Sequence, residues 1–367
     1  MSRHGNQRGS KTGRAAAALL LMAVAVIAGG VVWLTAEWQR PYQGFARDGV
    51  FVEIPRGLSN SAIAYRLAEN GVVRSRLAFE VLCRWKSPAT LQAGEYFFDR
   101  PATPAEVFRK LATGRVFVHV VTVPEGKTMK EIAELMEREG LASRMAFLAA
   151  ASDATLVRDL APKARNLEGF LFPETYQFPR HVTPERVVEV MVKRFREVWG
   201  KVQKETGAAG GGSVSAVVTL ASLVEKETSV AEERSLVAGV FHNRLKRGMA
   251  LQCDPTVTYA LELANKYDGS LNSKDLRFKS PYNTYRNAGL PPGPIANPGE
   301  ASLRAAVNPP KVDYLYFVAN AEGGHFFSRT LAEHNKNVTR YRRLQAQNGR
   351  SGATKTGAQR APQRNPR

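Results

Sequence analysis

The 367-residue chain is poor in the side chains that hold metals and cross-links: two cysteines, Cys83 and Cys253, and six histidines, His4, His119, His181, His242, His325 and His334. Only His325 and His334 come near each other, and no HExxH or comparable ligand spacing occurs, so no metal and no cofactor is expected. The histidines are instead expected in loop hydrogen bonding or in satisfied core positions. The cysteines fall in different expected domains and read as free buried thiols. A phosphate-binding loop is also lacking, because "TGAAGGGS" (206–213) follows a helical pattern and carries no Lys-Ser/Thr at the next helix start. It reads as a flexible linker.

Acids are absent from both ends. Residues 1–14 carry Arg3, Arg8, Lys11 and Arg14, and residues 340–367 carry eight basic groups, neither stretch holding an Asp or Glu. Without those twelve, 40 basic groups face 33 acidic ones, so most of the net charge of +19 sits in two tails that read as disordered. The body is only mildly basic, and nucleic acid is not an expected partner.

Charge is missing again from "AAAALLLMAVAVIAGGVVWLTA" (15–36). As a helix it spans about 33 Å, enough for a bilayer core and longer than the apolar region of a cleaved signal. The basic cluster precedes it, so residues 1–14 are expected in the cytoplasm as a basic tail. The rest lies outside the cytoplasmic membrane, in an extracytoplasmic (periplasmic) location, with Trp33 and Trp38 near the outer interface. No cysteine lies near the run, which argues against a lipoprotein anchor.

A doubled unit follows. "VFVEIPRGLSNSAIAYRLAENGVV" (50–73) aligns without a gap on "HVVTVPEGKTMKEIAELMEREGLA" (119–142) at an offset of 69, matching Pro55 with Pro124, Gly57 with Gly126 and Gly71 with Gly140. Each copy predicts a strand, a Pro-x-Gly turn, an amphipathic helix and a glycine C-cap. Thr128 and Glu131 form a capping box. Between the copies, "LQAGEYFFDRPATPAEVFRKLATGRV" predicts a strand and a helix opened by Thr103, Pro104 and Glu106. The pattern resembles the opening half of a LysM module, which binds N-acetylglucosamine-containing glycans; a generic α+β packing domain reads equally well. The expected class is α+β, with a transmembrane helix, a small LysM-like domain at 48–125, a mixed α/β catalytic domain at 126–343 and a disordered basic tail at 344–367.

"TLASLVEKETS" (219–229) ends an apolar run with two acids, Glu225 and Glu227. The helix from about Val214 is apolar nearly all round and belongs inside a domain. The two acids stand about 200° apart on its wheel, so they do not share one site. The wheel does not choose between them, and surface acids ending a core helix would look the same.

The later loops gather amides, hydroxyls and aromatics: Gln252, Asp254, Tyr259, Tyr282, Asn283, Thr284, Tyr285, Asn287 and Asn297, stiffened by prolines 291, 292, 294 and 298. Polar donors among aromatic faces suit a sugar polymer, whereas a phosphate ligand would ask for more basic residues.

"ASLVEKET", "LQCDPTVTYAL", "SPYNTY", "GLPPGPIANPG", "DYLYFVA" and "GGHFFSRTLAEHN" stand in the order and spacing of the MltG (YceG-like) family, the membrane-anchored endolytic murein transglycosylases of bacteria. The resemblance covers about 50–340, including "LEGFLFPETY", where the family more often has aspartate at Glu174. It implies endolytic cleavage of the MurNAc-GlcNAc β-1,4 bond of peptidoglycan glycan strands, leaving 1,6-anhydroMurNAc ends. The nucleophile is the substrate's own C6 hydroxyl, so one glutamate serves as acid and then as base. The resemblance implies Glu225 for this role, with Glu227 supporting the fold, and Gln252, Asp254, Tyr282, Asn283, Thr284, Tyr285 and Asn297 for substrate binding. It also implies peptidoglycan synthases of the elongation machinery as partners. A non-catalytic, membrane-tethered murein-binding scaffold is the alternative.

Overall fold

The computed structural model describes residues 9–86, 90–207 and 213–357. Helix α1 (Gly9–Gln39) opens the chain and contains the expected span. Among the described residues, Ala16–Gln39 is the one helix long and apolar enough to cross a membrane, consistent with a single-pass anchor. Residues 9–14, read as part of a disordered tail, continue this helix N-terminally.

The chain forms two compact units that divide between His119 and Val120, α1 belonging to the first. In the first, β1 (Val50–Ile54), α2 (Asn60–Glu69), α3 (Arg76–Trp85), β2 (Gly94–Phe98) and α4 (Pro104–Ala112) run in order. β1 and β2 pair antiparallel, from Val50 opposite Phe98 to Ile54 opposite Gly94. Alternation on β1 sends Val52 and Ile54 into a core with Leu67, Phe79, Leu82, Tyr96 and Leu111. Thr103 and Glu106 close a capping box that starts α4.

The same order opens the second unit: β3 (His119–Thr122), α5 (Met129–Arg138), α6 (Arg144–Ala151) and β4 (Thr175–Phe178), with β3 and β4 paired. Thus the doubled sequence becomes a doubled strand-helix-helix-strand element. Gly71 and Gly140 end α2 and α5 at φ of 69° and 68°, a backbone that glycine adopts without the Cβ penalty. The copies differ in the stretch before the last strand, which is short in the first. In the second it is 152–174, and it contributes Leu167, Phe170 and Leu171 to the large core and carries the buried Glu168.

The remainder is mainly helical: α7 (Pro184–Thr206), α8 (Val214–Glu227), α9 (Arg234–Lys246), α10 (Asp254–Leu263) and α11 (Glu300–Val307), then the antiparallel pair β5 (Tyr316–Ala319) and β6 (His325–Ser328), then α12 (Leu331–Gly357). α8 packs against α9, α10 and α11, and its Val218, Ala221, Leu223 and Val224 are fully buried. Most of the supposed linker, 208–212, lies outside the described residues. α12 runs to Gly357, and Thr330 and Glu333 cap its start. Residues 358–367 of the basic tail lie outside the described residues.

Candidate active site

The last turn of α8 places its two carboxyls in different surroundings. Glu225 is 5% exposed at its side chain, and both of its oxygens are engaged. Oε1 lies 3.3 Å from the Arg234 guanidinium, and Oε2 accepts the Gly299 N–H at 3.0 Å. Gly299 is the N-cap of α11, where a carboxylate also meets the favourable end of the helix dipole. A Cβ on Gly299 would sit 1.8 Å from Oε1 of Glu125, so a side chain there would have to displace that half-exposed carboxylate. Glu225 therefore fastens the proline-rich loop to α8.

Glu227 faces a cavity of about 350 Å³, shared with Arg244, Gln252, Asp254, Tyr285 and His325. Burial pushes its carboxyl up to about 7, helped by the nearby Asp254 charge and opposed by a Cys253 hydrogen bond and by Arg244. The Cys253 thiol is itself driven well above its usual range, first by burial and then by Glu227. Cys253 and Cys83 are both free and buried, as expected.

The cavity walls are fixed from several directions. Arg244 donates to the carbonyls of Leu315 (2.6 Å), Leu251 (2.7 Å) and Ala250 (3.3 Å), so its charge is spent on holding β5 beside the 250–252 turn. His325 Nδ1 lies 2.6 Å from Glu233 Oε2, and its backbone N–H donates to Glu233 Oε1 at 2.8 Å. His334 also lines the cavity, and burial followed by the Arg244 charge lowers its imidazole below the ordinary value. Gln252 holds φ at 51°, in the left-handed region that costs a non-glycine residue energy and concentrates at functional sites.

The expected binding residues divide into two groups. Gln252, Asp254 and Tyr285 line the cavity, with the Tyr285 hydroxyl donating to Asp254. Tyr282 stands apart from it, packed edge-on to Tyr259 with ring centroids 5.1 Å apart. Asn283, Thr284 and Asn297 are at most 1% exposed, and their side chains bond within the protein. Asn283 Nδ2 donates to the carbonyls of Leu276 and Phe278, and the Thr284 hydroxyl accepts the Cys253 N–H at 3.0 Å. Asn297 accepts the Leu171 N–H and donates to Lys127 O and Glu168 Oε1. Glu168, pushed by burial up to about 8, also accepts from Met129 N and the Tyr259 hydroxyl. These residues tie the loops together beneath the site.

Glu227, Arg244, His325 and His334 were not among the expected binding or catalytic side chains. Glu227 was visible as the partner of Glu225, and the two histidines as the only sequence-near pair. Arg244 carried no local signal.

Comparison with known proteins gives concordant matches. The sequence model of the YceG-like family matches residues 52–340. A Bacillus subtilis protein named endolytic murein transglycosylase is 36% identical over 332 residues, covering 86% of this chain and 91% of its own. A Streptococcus pneumoniae serotype 2 protein of the same name is 30% identical over 342 residues, with 82% of this chain but only 60% of its own length matched. A crystal structure of a yceG-like protein from Listeria monocytogenes superposes with a TM-score of 0.54 at 35% identity, over 79% of this chain and 99% of that one.

Proposed function

This chain belongs to the YceG-like family, and from that premise we propose that it is an endolytic murein transglycosylase whose acid-base residue is Glu227. One observation carries the residue assignment: the carboxyl that opens on the cavity, with burial raising it to about 7, is that of Glu227. Glu225, the residue implied by resemblance, has its oxygens committed to Arg234 and Gly299.

The chemistry follows from a carboxyl that holds its proton near neutrality. Glu227 donates that proton to the oxygen bridging N-acetylmuramyl and N-acetylglucosaminyl residues, and the C1–O bond breaks as an oxocarbenium-like sugar develops. The carboxylate left behind takes the proton of the C6 hydroxyl of the same muramyl ring. The C6 oxygen closes on C1, giving a 1,6-anhydro end and restoring the acid. No water enters, so a second carboxylate to activate one is not required. Gln252, Asp254, Tyr285 and His325 supply the polar wall that a sugar ring needs.

The β1–α2–α3–β2 order supports reading the first unit as a LysM-like glycan holder. The basic residues before α1 favour a cytoplasmic N-terminus in the cytoplasmic membrane, with both units on the extracytoplasmic side. There an endolytic cutter beside the synthases of the elongation machinery would terminate nascent strands. The test is mass spectrometry of products from purified murein: anhydro ends lack one water relative to hydrolysed ends. The wild type is expected to yield them and Glu227→Gln is not. Retention of glycan with no product would favour the non-catalytic scaffold instead.

A further inference from the structure

Helix α3 has two apolar faces, only one of which the first unit uses. Ala78, Phe79, Leu82 and Cys83 point into the core. Leu77, Val81 and Trp85 recur at every fourth residue on another side and are 70%, 41% and 67% exposed. A surface stripe of this kind on a water-soluble surface is uncommon.

Its position says what covers it. The Trp38 indole of α1 donates to the Ala78 carbonyl at 2.8 Å, and the Trp38 and Trp85 rings stack with centroids 5.0 Å apart. Val81 and Trp85 share an apolar groove of about 460 Å³ with Val31 and Leu34 of α1. Those two residues lie within the apolar span Ala16–Gln39. Val31 is about 12 Å along the helix from its end at Gln39. A surface that meets α1 at that level meets the bilayer there too. The segment after α1 is not a free tether either, since Tyr42 exchanges backbone hydrogen bonds with Ala102 at 3.0 and 3.2 Å. Arg84 borders the groove, and the Lys86 ammonium lies 5.9 Å from the Trp85 ring centre, the amphipathic arrangement of an interfacial helix.

We propose that α3 is a second membrane contact, its Leu77–Val81–Trp85 face embedded among phospholipid acyl chains beside the exit end of the anchor. The inference rests on reading α1 as a membrane anchor. Its consequence is that the first unit sits on the lipid surface in a fixed attitude and does not swing on a leash.

The test uses the full chain in phosphatidylethanolamine–phosphatidylglycerol nanodiscs, carrying nitroxide labels on Leu77→Cys or Val81→Cys; the native thiols are buried. Collisions with oxygen and with a water-soluble nickel chelate are compared with labels on Leu21→Cys in the span and on Met145→Cys, which is 78% exposed. Positions 77 and 81 are expected to behave like 21, open to oxygen and protected from nickel. Nickel access equal to that at 145 overturns the proposal. Protection from both reagents overturns it as well, because it means that protein, such as a second copy, covers the face. Should position 21 itself behave like 145, the anchor reading falls and the proposal with it.

Discussion

The two sides of the last turn of α8 are built from the same materials to opposite ends. On one side Glu225, Asn297 and Glu168 sit among partners that use every bond they offer, and the result is a knot joining α8, α11, the start of α5 and the proline-rich loop. On the other side Glu227, Gln252 and His325 hold their positions with fewer protein partners and open on a cavity. Burial alone does not mark a catalytic acid. Buried Glu225 is compensated by a guanidinium and a backbone N–H in direct contact, whereas for Glu227 burial and the Asp254 charge outweigh the Cys253 thiol and the Arg244 charge and keep a proton on it.

The largest effect is expected at Glu227. Glu227→Gln removes one acid-base group, and its release of anhydro-muropeptides should fall by about 10²–10⁴-fold. The melting temperature should not drop, because a costly buried acid has been replaced by a neutral amide. Glu225→Gln should invert the pattern. It leaves Arg234, whose side chain is 12% exposed, with half-exposed Glu125 at 3.6 Å as its remaining carboxylate partner, so the loss should stay below the roughly 3 kcal/mol that fully breaking a buried pair costs. Denaturant melts should show that loss while the surviving folded fraction still cleaves. A stable, inactive Glu225→Gln beside an active Glu227→Gln would reverse the assignment.

A pH comparison separates the two sides without removing the fold. The carboxyl of Glu227 is raised from 4.5 to about 7 in the native state, so between those values the folded protein keeps a proton that the unfolded chain has released. Stability contributed by this group therefore falls as pH rises through that window, by about 3 kcal/mol in all. Glu168, raised to about 8, gives a slope of the same sign in wild type and variant alike. The difference between wild-type and Glu227→Gln stability curves should isolate the Glu227 part. Identical slopes from pH 5 to 7 would mean that Glu227 titrates like any surface acid.

His325 offers a smaller effect. Its bond to Glu233 orients the ring in the cavity wall, and a hydrogen bond to a charged group is worth about 1.5–3 kcal/mol. His325→Gln should lower kcat/KM by about 10–100-fold in the same product assay. An unchanged value would assign the pair to loop architecture, on the Glu225 side of the comparison.

Much of the scaffold is local and therefore legible. The doubled element follows from glycine, proline and helical periodicity within stretches of 24 residues, and β1 and α2 recur as β3 and α5 at the offset of 69. The one helix long and apolar enough to cross a membrane, among the described residues, follows from an uncharged run. What is not legible is which loop amide faces the cavity and which meets backbone. Asn297 and Gln252 look alike in a polar loop, and only the arrival of Leu171, Lys127 and Glu168, each more than 120 residues away, uses up the first. The choice between Glu225 and Glu227 fails for the same reason. The wheel separates them, but the packing of the 251–254 turn and the β5–β6 pair decides which one lines the cavity.

The smallest effect expected is at Gln252, where function and stability should part. Its φ of 51° costs a residue with a Cβ about 1–2 kcal/mol. Glycine would remove that cost and would add back about 0.5–1 kcal/mol of chain entropy to be lost on folding. Gln252→Gly should therefore leave stability within about 1 kcal/mol of wild type by urea titration. Its KM for glycan should rise, because an amide that faces the cavity has gone. If instead KM stays constant and the midpoint falls, the side chain at 252 belongs with Asn297 among the fasteners, and the strained backbone there serves the turn and not the sugar.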